Sequence, residues 1–521
     1  MRRRDVLAAG ALAWLAGCGR AGSQPPTLVI GKPGDISTMD PAITTMSSDF
    51  APIGLAYEKL VRFVMKDGAP TGDVEGELAR AWTLDADGRS WVFDLAPGHR
   101  FDDGSEVTAD AVRFSFERCL KIGRGVAQAL GGLEAVEVQG PHRVRFRMAA
   151  AMPIFPLILA LPPMVVINPR VMRFETNGDL ARAWLSEHTA GSGPYHVTGW
   201  LRGQRVTLKA NPFAAVKPRH FERVVIKVVK DESAYRTQLR KGDIDIYESV
   251  TPDAVEPLAA MDGVRVISQP MPLVIALVPN NQRKPLSDVR VRRALAHAVD
   301  AAGIARTIVR GRASMIHGVL PDGVPGQDSA IPLIAYDPAE ARRLLDDAGI
   351  APGIALTLSY AQTSAASDTV ALAIQSQLAK VGIDLRLEVL APSAMSKVRS
   401  GDFDLSISSW YADFPDPWPI MKFAYNSANI GEGLNLSRYS NPAVDRLLNT
   451  AEATMDQAER IRLYREAQRI IVSDQPMIDL FSLHGIIACR ADIEGFDYSF
   501  WQPGIYNAAA MSRRRTESAA A

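Results

Sequence analysis

The sequence predicts an α/β protein of two or three domains, on three observations. Between positions 354 and 389, Ile354, Leu356, Leu358 and Tyr360 alternate as a strand, and a helical stripe runs through Ile374 and Leu378. Ile383, Leu385, Leu387 and Val389 then alternate again. Strand, helix and strand at crossover spacing specify a mixed or parallel sheet. Second, local start and stop signals punctuate helices along the chain. Third, 521 residues exceed what one compact core can serve.

The elements follow in order. Arg2-Arg3-Arg4 precede an apolar run from Val6 to Leu15, closed by Leu15-Ala16-Gly17-Cys18. That run is too short for a helix spanning a bilayer, which needs about 20 residues. Its basic start, small-residue end and immediate cysteine read as an export signal over residues 1–18 whose Cys18 takes lipid, with residues 19–26 as a tether. The paired arginines leave both the general and the twin-arginine export routes open, and the choice of inner or outer membrane is open too. Ser90-Trp91-Val92-Phe93-Asp94-Leu95 places Trp91, Phe93 and Leu95 on one strand face, and Asp102-Asp103-Gly104 marks a turn. Thr108 is placed to cap a helix carrying Val112 and Phe116.

Farther on, Asp337-Pro338-Ala339-Glu340 combines an N-cap, a first-turn proline and a capping-box glutamate, and Gly349 stops that helix. Asn441-Pro442 opens another helix. Asp456, with Glu459 three residues on, caps a third that ends near Asp474-Gln475-Pro476. Their apolar stripes read as core-facing.

Composition excludes several functions. Fifty-eight basic and 58 acidic residues cancel, so no global field recruits nucleic acid. Beyond Cys18, only Cys119 and Cys489 remain. They are far apart, without C-x-x-C or Cys/His spacing, and read as separate buried thiols, although a disulfide between them stays open. The chain has no G-x-S-x-G elbow, H-E-x-x-H helix or G-x-x-x-x-G-K-[ST] loop. Gly191-Ser192-Gly193-Pro194-Tyr195 reads as a tight structural turn, because Pro194 lacks the amide that a phosphate nest would use. Eight histidines are scattered without ligand spacing, so no metal and no cofactor is expected.

The richest constellation is Ser408-Ser409-Trp410-Tyr411-Ala412-Asp413-Phe414-Pro415-Asp416-Pro417-Trp418. It follows the alternating strand Asp402 to Ile407 and so emerges at a strand end, where open α/β sheets bind ligands. A carboxylate among aromatic rings suits an ammonium group, with the rings supplying flat apolar or cation-π surface. Asp413 is the first candidate for that ion pair, with Trp410, Tyr411 and Trp418 as lining. Asp416 either joins it or braces the loop. Asn280 is a further candidate contact, with a structural hydrogen bond as the alternative.

Several blocks in this order resemble one family. They are Trp82 to Phe93, Phe101-Asp102-Asp103-Gly104-Ser105 to Phe114-Ser115-Phe116-Glu117-Arg118, and Gly191 to Tyr195. Further blocks are Lys241-Gly242-Asp243-Ile244-Asp245, Ser287 to Leu295, Asn441 to Asp445 and Leu463 to Gln468. Together they are similar to the family-5 extracytoplasmic solute-binding proteins, the dipeptide- and oligopeptide-binding family of ABC importers. The resemblance implies a two-lobed, type II periplasmic-binding-protein-like fold with an extra domain inserted in the first lobe. The first lobe is expected at residues 27–62, 184–275 and 488–512, the inserted domain at 63–183, the second lobe at 276–487 and a flexible tail at 513–521.

The same resemblance places Asp413 on the carboxylate that receives a peptide's α-ammonium. It implies a monomeric, membrane-anchored lipoprotein on the extracytoplasmic face, without catalysis, that delivers a peptide-like solute to permease subunits. Leu273 to Asn280 and Asn211-Pro212-Phe213 depart from the family's aromatic patterns. The solute therefore stays open between a peptide and a nickel chelate, haem, glutathione, oligosaccharide or antibiotic-like conjugate. A hydrolase or a docking or chaperone module is the alternative of another class. Neither the solute nor its length preference is legible here.

Overall fold

A computed structural model of the protein describes residues 25–44, 46–362, 366–431 and 434–514. The export signal, Cys18, most of the tether and the tail beyond Arg514 lie outside the described residues. No helix among the described residues is long and apolar enough to cross a membrane.

One 12-stranded sheet runs through both lobes. In the second lobe the spatial order is Ile383–Leu390, Ile354–Ala361, Leu405–Tyr411, Leu273–Pro279 and Ile478–Arg490. The order continues into the first lobe with Ile246–Tyr247, Thr27–Lys32, Arg223–Val228, Arg205–Ala210 and Tyr195–Leu201. The strand Ile478–Arg490 belongs to both lobes. Its start pairs with Leu273–Pro279, while its later residues pair with Val264–Pro270 and Ile246–Tyr247.

The crossover predicted from alternation is present. Ile354 pairs in parallel with Ile383 and Ala361 with Leu390, and helix Ala366–Ala379 joins the two strands. Leu358, Ile374, Leu378 and Ile383 are buried in one core with Leu405 and Leu480. In the first lobe Leu28, Ile30, Leu208, Val224 and Ile226 form a separate core.

Between Thr27–Lys32 and Tyr195–Leu201 the chain leaves this sheet and builds two others. One is the hairpin Val61–Lys66 with Ala69–Gly76. The other has four strands in the order Ala79–Leu84, Ser90–Leu95, Arg143–Met148 and Leu133–Gly140. Helix Ala109–Ile122 packs on the four-stranded sheet, Phe116 meeting Phe146 edge-on at 5.0 Å. Arg118 of that helix grips Asp40 with two hydrogen bonds of 2.6 and 2.8 Å, both side chains fully buried.

Helix caps mostly follow the sequence. The Asp337 carboxylate accepts from the amides of Ala339 and Glu340, Asn441 from Ala443, and Asp456 from Glu459. Two local expectations are corrected. Thr108 occupies the N-cap position, but its carbonyl rather than its hydroxyl receives the first helical amides. Glu340 does not close a capping box; its carboxylate turns to Arg343 at 2.5 and 2.7 Å, where a charged partner is within reach.

Gly191 and Gly193 owe their identity to close approach. A Cβ at Gly191 would lie 2.1 Å from the Ala56 carbonyl oxygen, and one at Gly193 2.6 Å from the Ala56 carbonyl carbon. Cys119 and Cys489 are both buried free thiols, and burial pushes each up to about 12. Arg513, expected at the head of a flexible tail, is a strand residue. Ser512–Arg513 pairs with Ile493–Glu494, and Arg513 is held by the carboxylates of Asp245 and Asp492 at 2.6 and 3.0 Å.

Candidate functional site

The strand Leu405–Tyr411 lies between Leu273–Pro279 and Ile354–Ala361, and its end places residues 412–417 on the side of the second lobe that meets the rest of the molecule. The Ala412 amide donates to the Pro272 carbonyl at 2.8 Å, and helix Trp418–Tyr425 then carries the chain away. Two contacts show what the loop faces. Phe414 stacks on Phe63 of the Val61–Lys66 strand at 6.4 Å, and the Tyr411 hydroxyl donates to the Phe500 carbonyl in the C-terminal part of the first lobe.

Asp413 stands at this junction. It is exposed by surface area, yet burial pushes its carboxyl up to about 6. Neighbouring protein withholds part of the carboxyl's hydration although its surface stays open. Among the described residues no donor or cation pairs with it. The carboxylate is therefore an acceptor not committed to another described residue.

The other sequence candidates divide differently from expectation. Trp410 is buried, and its ring nitrogen donates to the Leu434 carbonyl at 3.0 Å. Trp418 is buried against Phe414 and Phe423 and donates to Glu452 at 3.0 Å. Tyr411 keeps part of its surface open and ties the lobes together.

Asp416, offered as a ligand contact or a brace, is a brace. Only 4% exposed, it pairs with Arg460 at 2.8 Å and accepts from the Trp418 amide at 2.9 Å. Asn280, offered as a polar contact, is committed to the fold. Its Nδ2 donates to the carbonyls of Gly401 and Phe403 at 3.0 and 3.2 Å, while its Oδ1 accepts from the Gln282 amide. In both cases the structure shows the structural alternative, set by partners remote in sequence: Arg460 for Asp416, and the Gly401 and Phe403 carbonyls for Asn280.

Sequence reasoning missed the facing surface of the first lobe. Lys32 pairs with Glu248 at 3.0 Å, both buried, and Glu248 also accepts from the hydroxyls of Tyr498 and Tyr506. Tyr498 and Phe500 thereby stand where Tyr411 reaches across. These residues come from three distant segments, and no local spacing announces them. Among the described residues, no group of three or more His, Cys, Asp or Glu side chains is arranged to hold a metal. His188 instead stacks on Trp184 at 4.6 Å.

A two-lobed α/β body whose lobes share one sheet is the architecture of the periplasmic-binding-protein-like solute receptors. The chain belongs to the bacterial extracellular solute-binding proteins, family 5, whose middle region matches residues 73–432. Binding of a solute outside the cytoplasm, not catalysis, is what this family does.

The chain is 35% identical over 487 residues to the probable D,D-dipeptide-binding periplasmic protein DdpA of Escherichia coli (strain K12), covering 93% of this chain and 94% of that one. It is 28% identical over 506 residues to di/tripeptide-binding protein 2 of Pseudomonas aeruginosa (strain UCBPP-PA14), covering 92% and 93%. Among solved structures it superposes on Helicobacter pylori DppA, an ABC transporter-associated periplasmic binding protein in complex with the peptide STSA, with a TM-score of 0.84, 24% identity and coverage of 94% and 98%. It also superposes on MoaA from A. tumefaciens R10 in complex with mannopinic acid, with a TM-score of 0.81, 26% identity and coverage of 94% and 100%.

Proposed function

We propose that this protein captures a peptide-like solute with a free α-ammonium group between its lobes and delivers it to the permease of an ABC importer. The observation that carries this reading is Asp413, a carboxylate without a partner among the described residues, two positions past the Tyr411 contact between the lobes. The dipeptide and di/tripeptide binding named for DdpA and for the Pseudomonas protein supports the solute class, and the association of Helicobacter DppA with an ABC transporter supports the delivery step. Solute entering the open gap meets one lobe, favours the arrangement in which both lobes touch it, and loses access to water. Selectivity follows from how much better the closed form satisfies the solute. Backbone hydrogen bonding accepts many peptides, and wet side-chain pockets avoid demanding one sequence.

Cys18, at the boundary of the apolar leader, carries the lipid that holds the protein, as a monomer, on the extracytoplasmic membrane face. Globomycin-sensitive processing with loss of labelled palmitate in Cys18→Ala tests this anchor. For the solute, calorimetry should show Asp413→Asn weakening a free dipeptide by roughly tenfold to a hundredfold while its N-acetylated form changes little. Equal losses for both would sink the pairing.

A second reading keeps the transport role but makes the solute a non-peptide conjugate, favoured by the 26% identity to MoaA in complex with mannopinic acid. Mass spectrometry of material that co-purifies after gentle extraction separates the two.

A further inference from the structure

A cavity of about 70 Å³ lies in the second lobe, where Ile478–Arg490 begins, before that strand pairs with Ala313–Ser314. Its walls are apolar, among them Ile316 and Ile471, and its rim carries Leu333 and Ile334, which are 42% and 43% exposed. Three polar side chains line it, and one of them, Gln475, donates to the Met477 carbonyl at 2.6 Å. Asp479 makes no hydrogen bond or ion pair among the described residues, and its Oδ1 is sealed from solvent without a partner. Tyr425, 1% exposed, has a buried hydroxyl that is likewise unpartnered, and the two groups lie close enough to act on each other electrostatically.

This is not the gap at the lobe junction. Asp479 sits opposite Ala276, which itself faces Ser408 within the sheet, whereas Asp413 lies past Tyr411, beyond the end of that strand.

Buried polar groups in folded proteins nearly always find partners, so an acid and a phenol both without one, at a cavity with an exposed apolar rim, call for an occupant. Burial pushes the Asp479 carboxyl up to about 7, so near neutral pH a cationic donor would be gained at little protonation cost. A primary ammonium has three N–H donors, enough for the carboxylate and the phenol oxygen together. A hard divalent cation would need more oxygen ligands than these walls supply. The space suits a short chain, and the apolar walls suit methylene groups.

We propose that this cavity is a second binding site, for a primary ammonium group on a short aliphatic chain. The ammonium would lie between Asp479 and Tyr425, and the chain would run along Ile316 and Ile471 toward Leu333 and Ile334.

The test titrates n-propylammonium into the purified protein, followed by calorimetry and ligand-observed NMR. Saturable binding is expected, weakened roughly tenfold or more in Asp479→Asn and a few-fold in Tyr425→Phe. 1-Propanol, the same size without the charge, should bind the wild type roughly tenfold or more weakly than the amine. Tyr425→Phe and the alcohol keep the test valid if Asp479→Asn folds poorly. No saturable binding, binding lost in Asp413→Asn but kept in Asp479→Asn, or a soaked crystal with only water between Asp479 and Tyr425 would each overturn the proposal.

Discussion

Replacing Arg460 by methionine isolates what holds the loop that presents Asp413. Arg460 contributes a 2.8 Å ion pair to Asp416 and a hydrogen bond to the Ala451 carbonyl, and its guanidinium stands 5.7 Å from the centre of the Tyr464 ring. The side chains of the pair are each 5% exposed. Methionine keeps much of the apolar stem but leaves Asp416 buried with only the Trp418 amide as partner. Removing one member of a buried pair costs about 3–5 kcal/mol, chiefly the penalty of the abandoned charge.

Burial already holds the Asp416 carboxyl above its usual range, with the guanidinium offsetting it in part. Without Arg460 it moves higher still. The loss in Arg460→Met is therefore greatest near neutral pH, where the unfolded chain carries an ionised Asp416 at no cost. It shrinks as the pH falls and the folded protein takes up the proton. Urea unfolding followed by tryptophan fluorescence, with Trp418 beside the pair, reads this at pH 7 and pH 5. Asp416→Asn combined with Arg460→Met should recover most of the stability, since no stranded charge remains. A single variant that loses less than about 1 kcal/mol, or a double variant no better than the single one, would refute the reasoning.

Other expectations are narrower. With the Asp413 carboxyl at about 6, the affinity for an ammonium-bearing solute should be flat above neutrality and fall as the pH drops through 6, approaching tenfold per unit, in calorimetry between pH 5 and 8. Tyr411→Phe removes the hydroxyl that reaches the Phe500 carbonyl. It should disfavour lobe closure by about 1 kcal/mol, weakening solute binding about fivefold with a larger open fraction in solution scattering; unchanged affinity would mean that the contact does not report closure. Gly191→Ala would place a methyl 2.1 Å from the Ala56 carbonyl oxygen and should cost about 1–3 kcal/mol in thermal unfolding, whereas Gly199→Ala, with open space around it, should cost far less of the kind that comes from packing.

What the sequence made legible is what short segments decide. Asp337, Asn441 and Asp456 cap the helices that follow because a side-chain oxygen needs only the next few amides. The loop at Asp413 was legible because alternation stops at Tyr411 and Pro415 and Pro417 cannot continue a strand. Roles that depend on distant partners were hidden. Asp416 and Asp413 look alike in sequence, yet one is claimed by Arg460 and the other has no partner among the described residues. Asn280 was drawn to the carbonyls of Gly401 and Phe403. Asp479 passes for the polar position of a half-buried strand, and only the fold reveals that no described residue pairs with it. The cluster of Lys32, Glu248, Tyr498 and Tyr506 assembles from the two ends and the middle of the chain.

The strand Ile478–Arg490 has a consequence for how the molecule can be divided. One ribbon supplies a central neighbour to Leu273–Pro279 in one half and to Val264–Pro270 in the other, so neither half is a self-sufficient fragment. Removing the chain from Ile478 onward would take from the shared sheet the strand that joins its two halves. The two halves therefore share a common spine and are not separable modules.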